Sequence, residues 1–260
     1  MEQLSARHVP LIQRLWRWLR GQPASIDDAR WEHAVSALPW ARGLTADQRE
    51  TLRPLVARFL QQKTISPVAG LQLDDAACLQ LAVLCCLPLL GIGPGGLHGW
   101  SQVIVYPEAF RVQRSHVDAA GVLHEWEDEL AGEAWDAGPL ILSWADMQAD
   151  IADPAAGYCL AVHEMAHKLD ALDGAMDGTP PLPAAWRRTW ARDFQCHYDA
   201  LCQRVDAGKR TAIDAYAAES PEEFFAVASE YHFTDPATLR QAMPEIADHL
   251  ARLYGAPPVL

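Results

Sequence analysis

The chain has 260 residues, half of them apolar, and its 34 acidic side chains outnumber 21 basic ones, giving a formal net charge of −13. That apolar share is sufficient for a substantial buried core. Because neutralising phosphates requires clustered Lys and Arg, the acidic balance argues against nucleic acid as a direct partner and favours a soluble protein.

The six cysteines include no C-x-x-C pair, and two of them, Cys85 and Cys86, are adjacent within an apolar run. This pattern is neither a disulfide framework nor a set of zinc-binding thiolates. We therefore predict reduced, buried thiols in a cytoplasmic protein.

Two segments of the sequence are considered as membrane-associated. The N-terminal "MEQLSARHVPLIQRLWRWLRG" has no uninterrupted apolar stretch, so we predict no signal peptide; we expect a short helix docked on the protein rather than one lying on a membrane surface. The apolar run "AACLQLAVLCCLPLLGIG" (76–93) is short for a membrane span and is interrupted by Pro88. We predict a buried core helix there and no membrane span.

The N-terminal third is predicted to be mostly helical. Residues 45–62 carry apolar side chains at helical intervals, with Thr45 at the start and Asp47 in the first turn. A second helix is predicted over 74–87, opened by Asp74.

The middle of the chain changes to strands. "SQVIVYP" (101–107) is β-branched and ends at a proline, and "GPLILSW" (138–144) is a compact apolar strand. Between them, "GVLHEWEDE" and "GEAWDAG" are predicted to pair around a turn. We expect a small mixed sheet of three or four strands.

Helices return after Pro154. They are predicted over 156–171, 184–205, 221–232 and 236–254, with a turn-rich loop over 173–183. Helices, then strands, then helices indicate an α+β fold rather than a doubly wound sheet.

The helix over 156–171 contains "VHEMAHKLDALD". His163 and His167 are four residues apart and therefore share one helix face, so both imidazoles can bind one ion. Glu164 is then placed beside that ion, where it can take a proton from a water molecule. This is the H-E-x-x-H arrangement of zinc peptidases, with Glu as general base.

A third ligand has to come from elsewhere. Asp173 lies six residues past His167, where the metzincin pattern has its third ligand. That pattern needs a glycine three residues past the second histidine, where this chain has Asp170, so we do not favour Asp173. We expect Asp170 to accept a hydrogen bond from a ligand imidazole and thereby orient it.

The remaining candidate lies in the predicted helix 221–232. Ser220 caps its start, and Glu223 either completes a capping box with Ser220 or points inward. The aromatic pair that follows demands burial, so a carboxylate in this first turn can be aimed at the core. Spacing separates Glu223 from Glu222 only weakly. Glu230 can orient a ligand or pair with a buried histidine.

The stretches "HEMAHKLD" and "IDAYAAESPEEFFAVASEYHF" closely resemble the Mlc titration factor A family of bacterial zinc peptidases. The likeness includes "RFLQQKTISPVAGLQLD", "CCLPLL", "VIVYP" and "GPLILSW" and runs from about residue 35 to 240. More distantly, the two helical segments resemble the protease domain of anthrax lethal factor. The resemblance implies a variable N-terminal segment (1–35) and a single, mostly helical zincin-like metallopeptidase domain (36–260).

The resemblance also implies site residues. The family's third zinc ligand, the glutamate directly before the aromatic pair, falls on Glu223, and an active-site tyrosine falls on Tyr216. The phenol is expected to stabilise the developing oxyanion. Without the resemblance, Tyr216 is interpreted as a buried aromatic with a satisfied hydroxyl.

Together these inferences predict a monomeric zinc peptidase of the gluzincin type that acts on peptide or protein substrates. One Zn²⁺ is held by His163, His167 and Glu223, and the resemblance implies aminopeptidase-like action on short peptides. We hypothesise that 138–144 is the edge strand along which an extended peptide pairs. The alternatives are a regulator that sequesters a transcriptional repressor, with proteolysis minor, and a scaffold without metal.

Overall fold

The computed structural model describes residues 25–117, 123–130, 132–134 and 138–259, and within 110–137 only the backbone is described. The predicted N-terminal helix lies outside these residues. The described helices are α1 (Asp28–Ala37), α2 (Pro39–Arg42), α3 (Ala46–Gln62), α4 (Asp75–Cys86), α5 (Leu89–Ile92), α6 (Trp144–Ala152), α7 (Leu160–Asp170), α8 (Ala184–Asp206), α9 (Pro221–Thr234), α10 (Pro236–Ala242) and α11 (Pro244–Tyr254). The described strands are β1 (Thr64–Pro67), β2 (Gln102–Tyr106), β3 (Phe110–Val117), β4 (Leu123–Leu130), β5 (Gly132–Ala134) and β6 (Leu140–Ser143).

The predicted helix starts are confirmed by their caps. The Thr45 hydroxyl accepts from the Gln48 N–H, and the Gln48 side chain accepts from the Thr45 N–H, which together make a capping box for α3. Asp74 accepts from the Ala77 N–H and caps α4. The predicted fold class, mostly helical α+β, is confirmed.

The four-stranded sheet has the order β1-β2-β6-β5. Strands β1, β2 and β6 are parallel, and β5 is antiparallel to β6, so the sheet is mixed as predicted. The sequence analysis missed β1, whose "TISP" is too short for a periodic signal and is ordered by pairing with β2.

Two expectations about strands are wrong. Residues 123–130 pair with 110–117 in a separate two-stranded sheet, whereas 132–134 pairs with β6. Strand β6 therefore lies between β2 and β5 in the sheet interior, which rules out 138–144 as the edge strand that takes a peptide.

Two helix boundaries also differ. The acidic "ADMQAD" after β6 belongs to helix α6, capped by Ser143 rather than ending as a loop. The predicted helix 236–254 is divided at Pro244, because the preceding Met243 is outside the helical region (φ −142°, ψ 69°), which proline disfavours for the residue before it.

The core is centred on α4, α7 and α9. Helix α7 packs against α4, α9, β5 and β6. Of the cysteines, all free, Cys85, Cys86 and Cys159 are buried, whereas Cys196 is exposed. Trp31 and Val35 of α1 join the same core, and the division of the chain at residue 35 stays a prediction.

Within the described part of the chain, no single helix is long and apolar enough to cross a membrane. The pair Asp75–Cys86 and Leu89–Leu97 passes on combined length and composition but is bent by 65°.

Candidate metal centre

Helix α7 is held at its N-terminus by carboxylates from other helices. Its N-cap, Cys159, provides no side-chain hydrogen bond. Instead, the Leu160 N–H donates to Asp150 of α6 (2.8 Å) and the Cys159 N–H donates to Glu230 of α9 (2.7 Å). Because the first amides of a helix have no partner within it, these two carboxylates fix where α7 begins.

Helices α7 and α9 bring three donor atoms together. The Nε2 atoms of His163 and His167 are 3.2 Å apart. The Glu223 Oε2 atom lies 3.0 Å from the first and 3.4 Å from the second. The three side chains named in the sequence analysis as metal ligands therefore meet at one point.

The geometry of the cluster argues against the capping-box role of Glu223 and against Asp173 as the third ligand. The Ser220 hydroxyl accepts from the Glu223 N–H (3.3 Å), but the Glu223 carboxylate faces the histidines rather than closing a capping box. Asp173 is exposed and outside the group of potential ligands found among the described residues.

Glu230 orients one of the imidazoles. Its Oε1 atom lies 2.8 Å from His163 Nδ1 while its other oxygen accepts from Cys159. This leaves His163 Nε2 directed at the cluster. Burial lowers the pKa of His163, but Glu230 and Glu223 outweigh it and raise that pKa well above its usual value.

The expected role of Asp170 is not found. Asp170 is fully buried and accepts from the Gly178 N–H (2.7 Å), but neither its other oxygen nor His167 Nδ1 has a hydrogen-bond partner among the described residues. Asp170 therefore anchors the loop after α7 instead of orienting an imidazole. Of the two residues expected to orient a ligand imidazole, Asp170 and Glu230, only Glu230 contacts one, that of His163.

Glu164 lies beside the cluster in an enclosed position. Glu164 is 4% exposed, and its Oε2 atom has no hydrogen-bond partner within the part of the chain that the structure describes. Burial raises its pKa to about 7. A carboxyl group with this pKa can accept and release a proton near neutral pH.

Tyr216 lies at the mouth of the site. It belongs to the 3-10 turn Ala215–Ala218, and its ring is centred 6.2 Å from that of His163. It is 49% exposed, so the interpretation as a buried aromatic is wrong. Burial of the phenol and the nearby carboxylates raise its pKa.

Sequence analysis missed three contributors: Asp150, Asp214 and Tyr158. Asp150 caps α7 from a helix that was not predicted. Asp214 accepts from both the Tyr216 N–H and the Tyr158 phenol. The contacts of Asp150 with Leu160 and of Asp214 with Tyr158 join distant segments, so no spacing in the sequence indicated them; only the contact of Asp214 with the Tyr216 N–H is a local cap.

The cluster fits a metal ion. Three donor atoms that face one another at these distances can share one cation between them. Ligand atoms bonded at about 2.0–2.1 Å to one tetrahedral ion are roughly 3.3 Å apart, and the separations here are 3.0, 3.2 and 3.4 Å. Nitrogen and oxygen donors without a thiolate suit Zn²⁺ among other divalent ions.

A mostly helical α+β fold with H-E-x-x-H on one helix and a facing glutamate on another is the pattern of a metallopeptidase. The family model of the glucose-regulated metallo-peptidase M90 matches residues 13–255. Mlc titration factor A of Escherichia fergusonii is 36% identical over 248 residues, which is 94% of this chain and 92% of that protein. The protein of the same name from Serratia proteamaculans is 34% identical over 247 residues, with 94% and 93% covered. The chain belongs to the M90 metallopeptidase family.

Proposed function

We propose that this protein is a zinc-dependent peptidase in which His163, His167 and Glu223 hold the metal. The observation that carries the proposal is the convergence of these three donor atoms, with Glu164 enclosed beside them. When bound, Zn²⁺ supplies a Lewis acid for a peptide carbonyl and lowers the pKa of a water molecule.

The chain's own residues perform the proton transfers in this proposal. Glu164 takes a proton from the attacking water and passes it to the leaving amine. Its burial keeps its pKa near 7, which suits both transfers. The Tyr216 phenol donates to the oxyanion that develops on the former carbonyl oxygen.

Strand β5 is the best-supported place for an extended substrate. It lies beside α7 at the end of the sheet, and among the described residues it pairs only with β6. We propose that a peptide backbone pairs with its outer edge. Peptides N-methylated at alternating backbone amides should then show a raised KM; equal KM values for all N-methylated positions contradict edge pairing.

The central test is Glu164→Gln. It should keep zinc binding and lower the rate of peptide cleavage by about 100-fold or more. A peptide-library digest read by mass spectrometry, with and without chelator, reports cleavage, metal dependence and bond position together. Cleavage confined to the first residue supports aminopeptidase action. Cleavage by Glu164→Gln at the wild-type rate contradicts the assigned base.

A matched pair of variants tests the third ligand. Glu223→Gln should lose most of the bound zinc, whereas Glu222→Gln, one residue earlier on the same helix, should keep it. Equal zinc content in the two variants contradicts Glu223 as a ligand.

We propose as a second function that the protein binds a transcriptional repressor in the cytoplasm. The support is the name of its relatives, Mlc titration factor A, at 36% identity over nearly the whole chain. Titration calorimetry with a purified Mlc-type repressor should give the same affinity for the wild type and for Glu164→Gln. Absence of binding by both contradicts this function without touching the peptidase proposal.

A further inference from the structure

Asp214 connects two tyrosines at the mouth of the candidate metal centre. Its Oδ1 atom accepts from the Tyr216 N–H (2.9 Å), and its Oδ2 atom accepts from the Tyr158 phenol (2.5 Å). Both carboxylate oxygens are thus used, one on each tyrosine. We call this pair of contacts, from Tyr158 through Asp214 to Tyr216, the tyrosine brace.

The brace joins two parts of the site, the start of α7 and the 3-10 turn that precedes α9. Tyr158 directly precedes Cys159, the N-cap of α7, which carries His163. Asp214 is the N-cap of the 3-10 turn that carries Tyr216. The brace therefore fixes that turn relative to the helix that presents the two imidazoles.

Packing alone does not hold these two aromatic rings. Tyr158 is 47% exposed and Tyr216 is 49% exposed, and they are the exposed aromatic residues of the described part of the chain. The Asp214 contact restrains the Tyr216 backbone on this short 3-10 turn, and so fixes the point from which the ring extends. The contacts that Asp214 makes are suited to this restraint.

The phenol of Tyr158 remains a donor throughout the working pH range. Its hydrogen bond to Asp214 raises its pKa to about 12. A protonated phenol facing an ionised carboxylate makes a short, charge-assisted hydrogen bond.

We infer that Tyr158 and Asp214 are positioning residues that hold Tyr216 at the site for the peptidase reaction. The inference rests on the proposed function, because Tyr216 matters to the rate only if it serves an oxyanion. Proper placement of such a donor matters because a displacement of about 1 Å costs roughly 100-fold in rate. Tyr158 itself touches no reacting atom in this scheme.

The experiment compares Tyr158→Phe, Tyr216→Phe and the double variant, all loaded with zinc. Tyr216→Phe should lower kcat about 100-fold. Tyr158→Phe should lower kcat roughly 3–10-fold with KM nearly unchanged, because it displaces a donor that acts in the transition state. The double variant should equal Tyr216→Phe, since the effect of Tyr158 passes through Tyr216. If Tyr158→Phe lowers kcat by the same factor in the Tyr216→Phe background as in the wild type, the inference is overturned.

A matched control separates positioning from general loosening. Tyr198 donates to the Ala218 carbonyl (3.3 Å) at the other end of the same 3-10 turn, without contacting the brace. Tyr198→Phe should leave kcat unchanged. A loss equal to that of Tyr158→Phe overturns the inference.

Substitutions of Asp214 provide a rescue test. Asp214→Ala removes both contacts and should lower kcat at least as much as Tyr158→Phe. Asp214→Asn keeps an acceptor for the Tyr216 N–H, and its amide can donate to the Tyr158 phenol oxygen. It should therefore recover most of the lost kcat; equal losses for Ala and Asn contradict the brace.

A readout independent of cleavage distinguishes failure of the brace from failure of the proposed function. In Tyr158→Phe, hydrogen–deuterium exchange of the Tyr216 amide should rise roughly threefold or more. If the wild type cleaves no peptide, the proposed function fails, and the exchange result still decides the brace. Unchanged exchange together with unchanged kcat overturns the inference.

Discussion

Glu230 has both of its oxygens in use at the candidate metal centre, on His163 and on the start of α7. Replacing it with Gln puts an amide N–H where an acceptor is needed. We predict that Glu230→Gln weakens zinc binding by about 10–100-fold, as measured by competition with a chelating dye.

Another Glu–His pair serves as the control for Glu230. Glu245 contacts His197 (3.0 Å) on the surface, away from the cluster. Glu245→Gln should leave the zinc affinity unchanged. Similar losses in both variants indicate a nonspecific effect of charge.

Asp150 makes a pH-dependent contribution to stability. Burial raises its pKa to about 6 in the folded protein, from 3.8. The folded state then binds the proton of Asp150 more tightly than the unfolded state does. The contribution of Asp150 to the free energy of unfolding therefore falls as pH rises from about 4 to about 6.

Asp150→Asn tests this directly, because the amide still accepts from the Leu160 N–H but does not titrate. Relative to wild type, the variant should gain about 2–3 kcal/mol of unfolding free energy between pH 4 and pH 7. Urea unfolding of chelator-treated protein at the two pH values measures it. If the difference in unfolding free energy between the variant and the wild type is the same at both pH values, the raised pKa of Asp150 is contradicted.

For individual residues of the candidate site, how well the sequence predicted them depends on how far apart the contacting residues are along the chain. His163, Glu164 and His167 were predictable because helical geometry alone places them. Glu223 required the resemblance, since spacing did not separate it from Glu222. Glu230 was predicted to orient a ligand or pair with a buried histidine, and its contact with His163 agrees with that, whereas the contact of Asp150 with Leu160 joins separate helices and is revealed only by the folded chain.

Among the elements, the loop between α7 and α8 is fixed at Gly178. Its N–H donates to Asp170 at the end of α7, and its carbonyl accepts from Trp190 of α8 (3.2 Å). Its φ is +79°, and an added Cβ would lie 2.4 Å from the carbonyl oxygen of Pro221, the first residue of α9. One glycine thus sets the spacing of three helices.

We predict that Gly178→Ala lowers the free energy of unfolding by about 2–4 kcal/mol through backbone strain and overlap with Pro221. Gly174→Ala is the matched control: φ is +92° there, but an added Cβ meets nothing within 4 Å. It should cost only about 1 kcal/mol. Urea unfolding curves measure both, and equal losses contradict the role of the close approach.

The elements that were predicted well have local determinants. Caps and apolar periodicity located α3, α4 and α8. The pairing of β4 was mispredicted because its partner is β3, earlier in the chain, rather than the neighbouring β5. Strand pairing depends on contacts that no local pattern encodes.

At the scale of the whole molecule, the candidate metal centre ties α7 to α9, two helices of the common core. A ligand that binds only the folded state stabilises it by mass action. Zinc at 1,000 times its Kd adds about 4 kcal/mol.

We therefore predict that zinc raises the Tm of chelator-treated protein by roughly 8–12 °C. The shift should disappear in His167→Ala and persist in His197→Ala, which removes a histidine outside the site. Differential scanning calorimetry measures it. A zinc shift that survives His167→Ala indicates that the metal binds elsewhere.

The fold class was predictable because the order of helices and strands fixes it. The edge proposed for substrate was not, since it depends on which strands lie at the ends of the sheet. Among the described residues these are β1 and β5, and β6 lies between β2 and β5.

Because the proposed ligands lie on α7 and α9, the protein is translated with an incomplete set. At roughly 5–20 residues per second, Glu223 leaves the ribosome's catalytic centre about 3–10 s after His167. A nascent chain in that interval has two imidazoles but no third donor. For the proposed peptidase, the complete set of metal ligands is therefore available only late in synthesis.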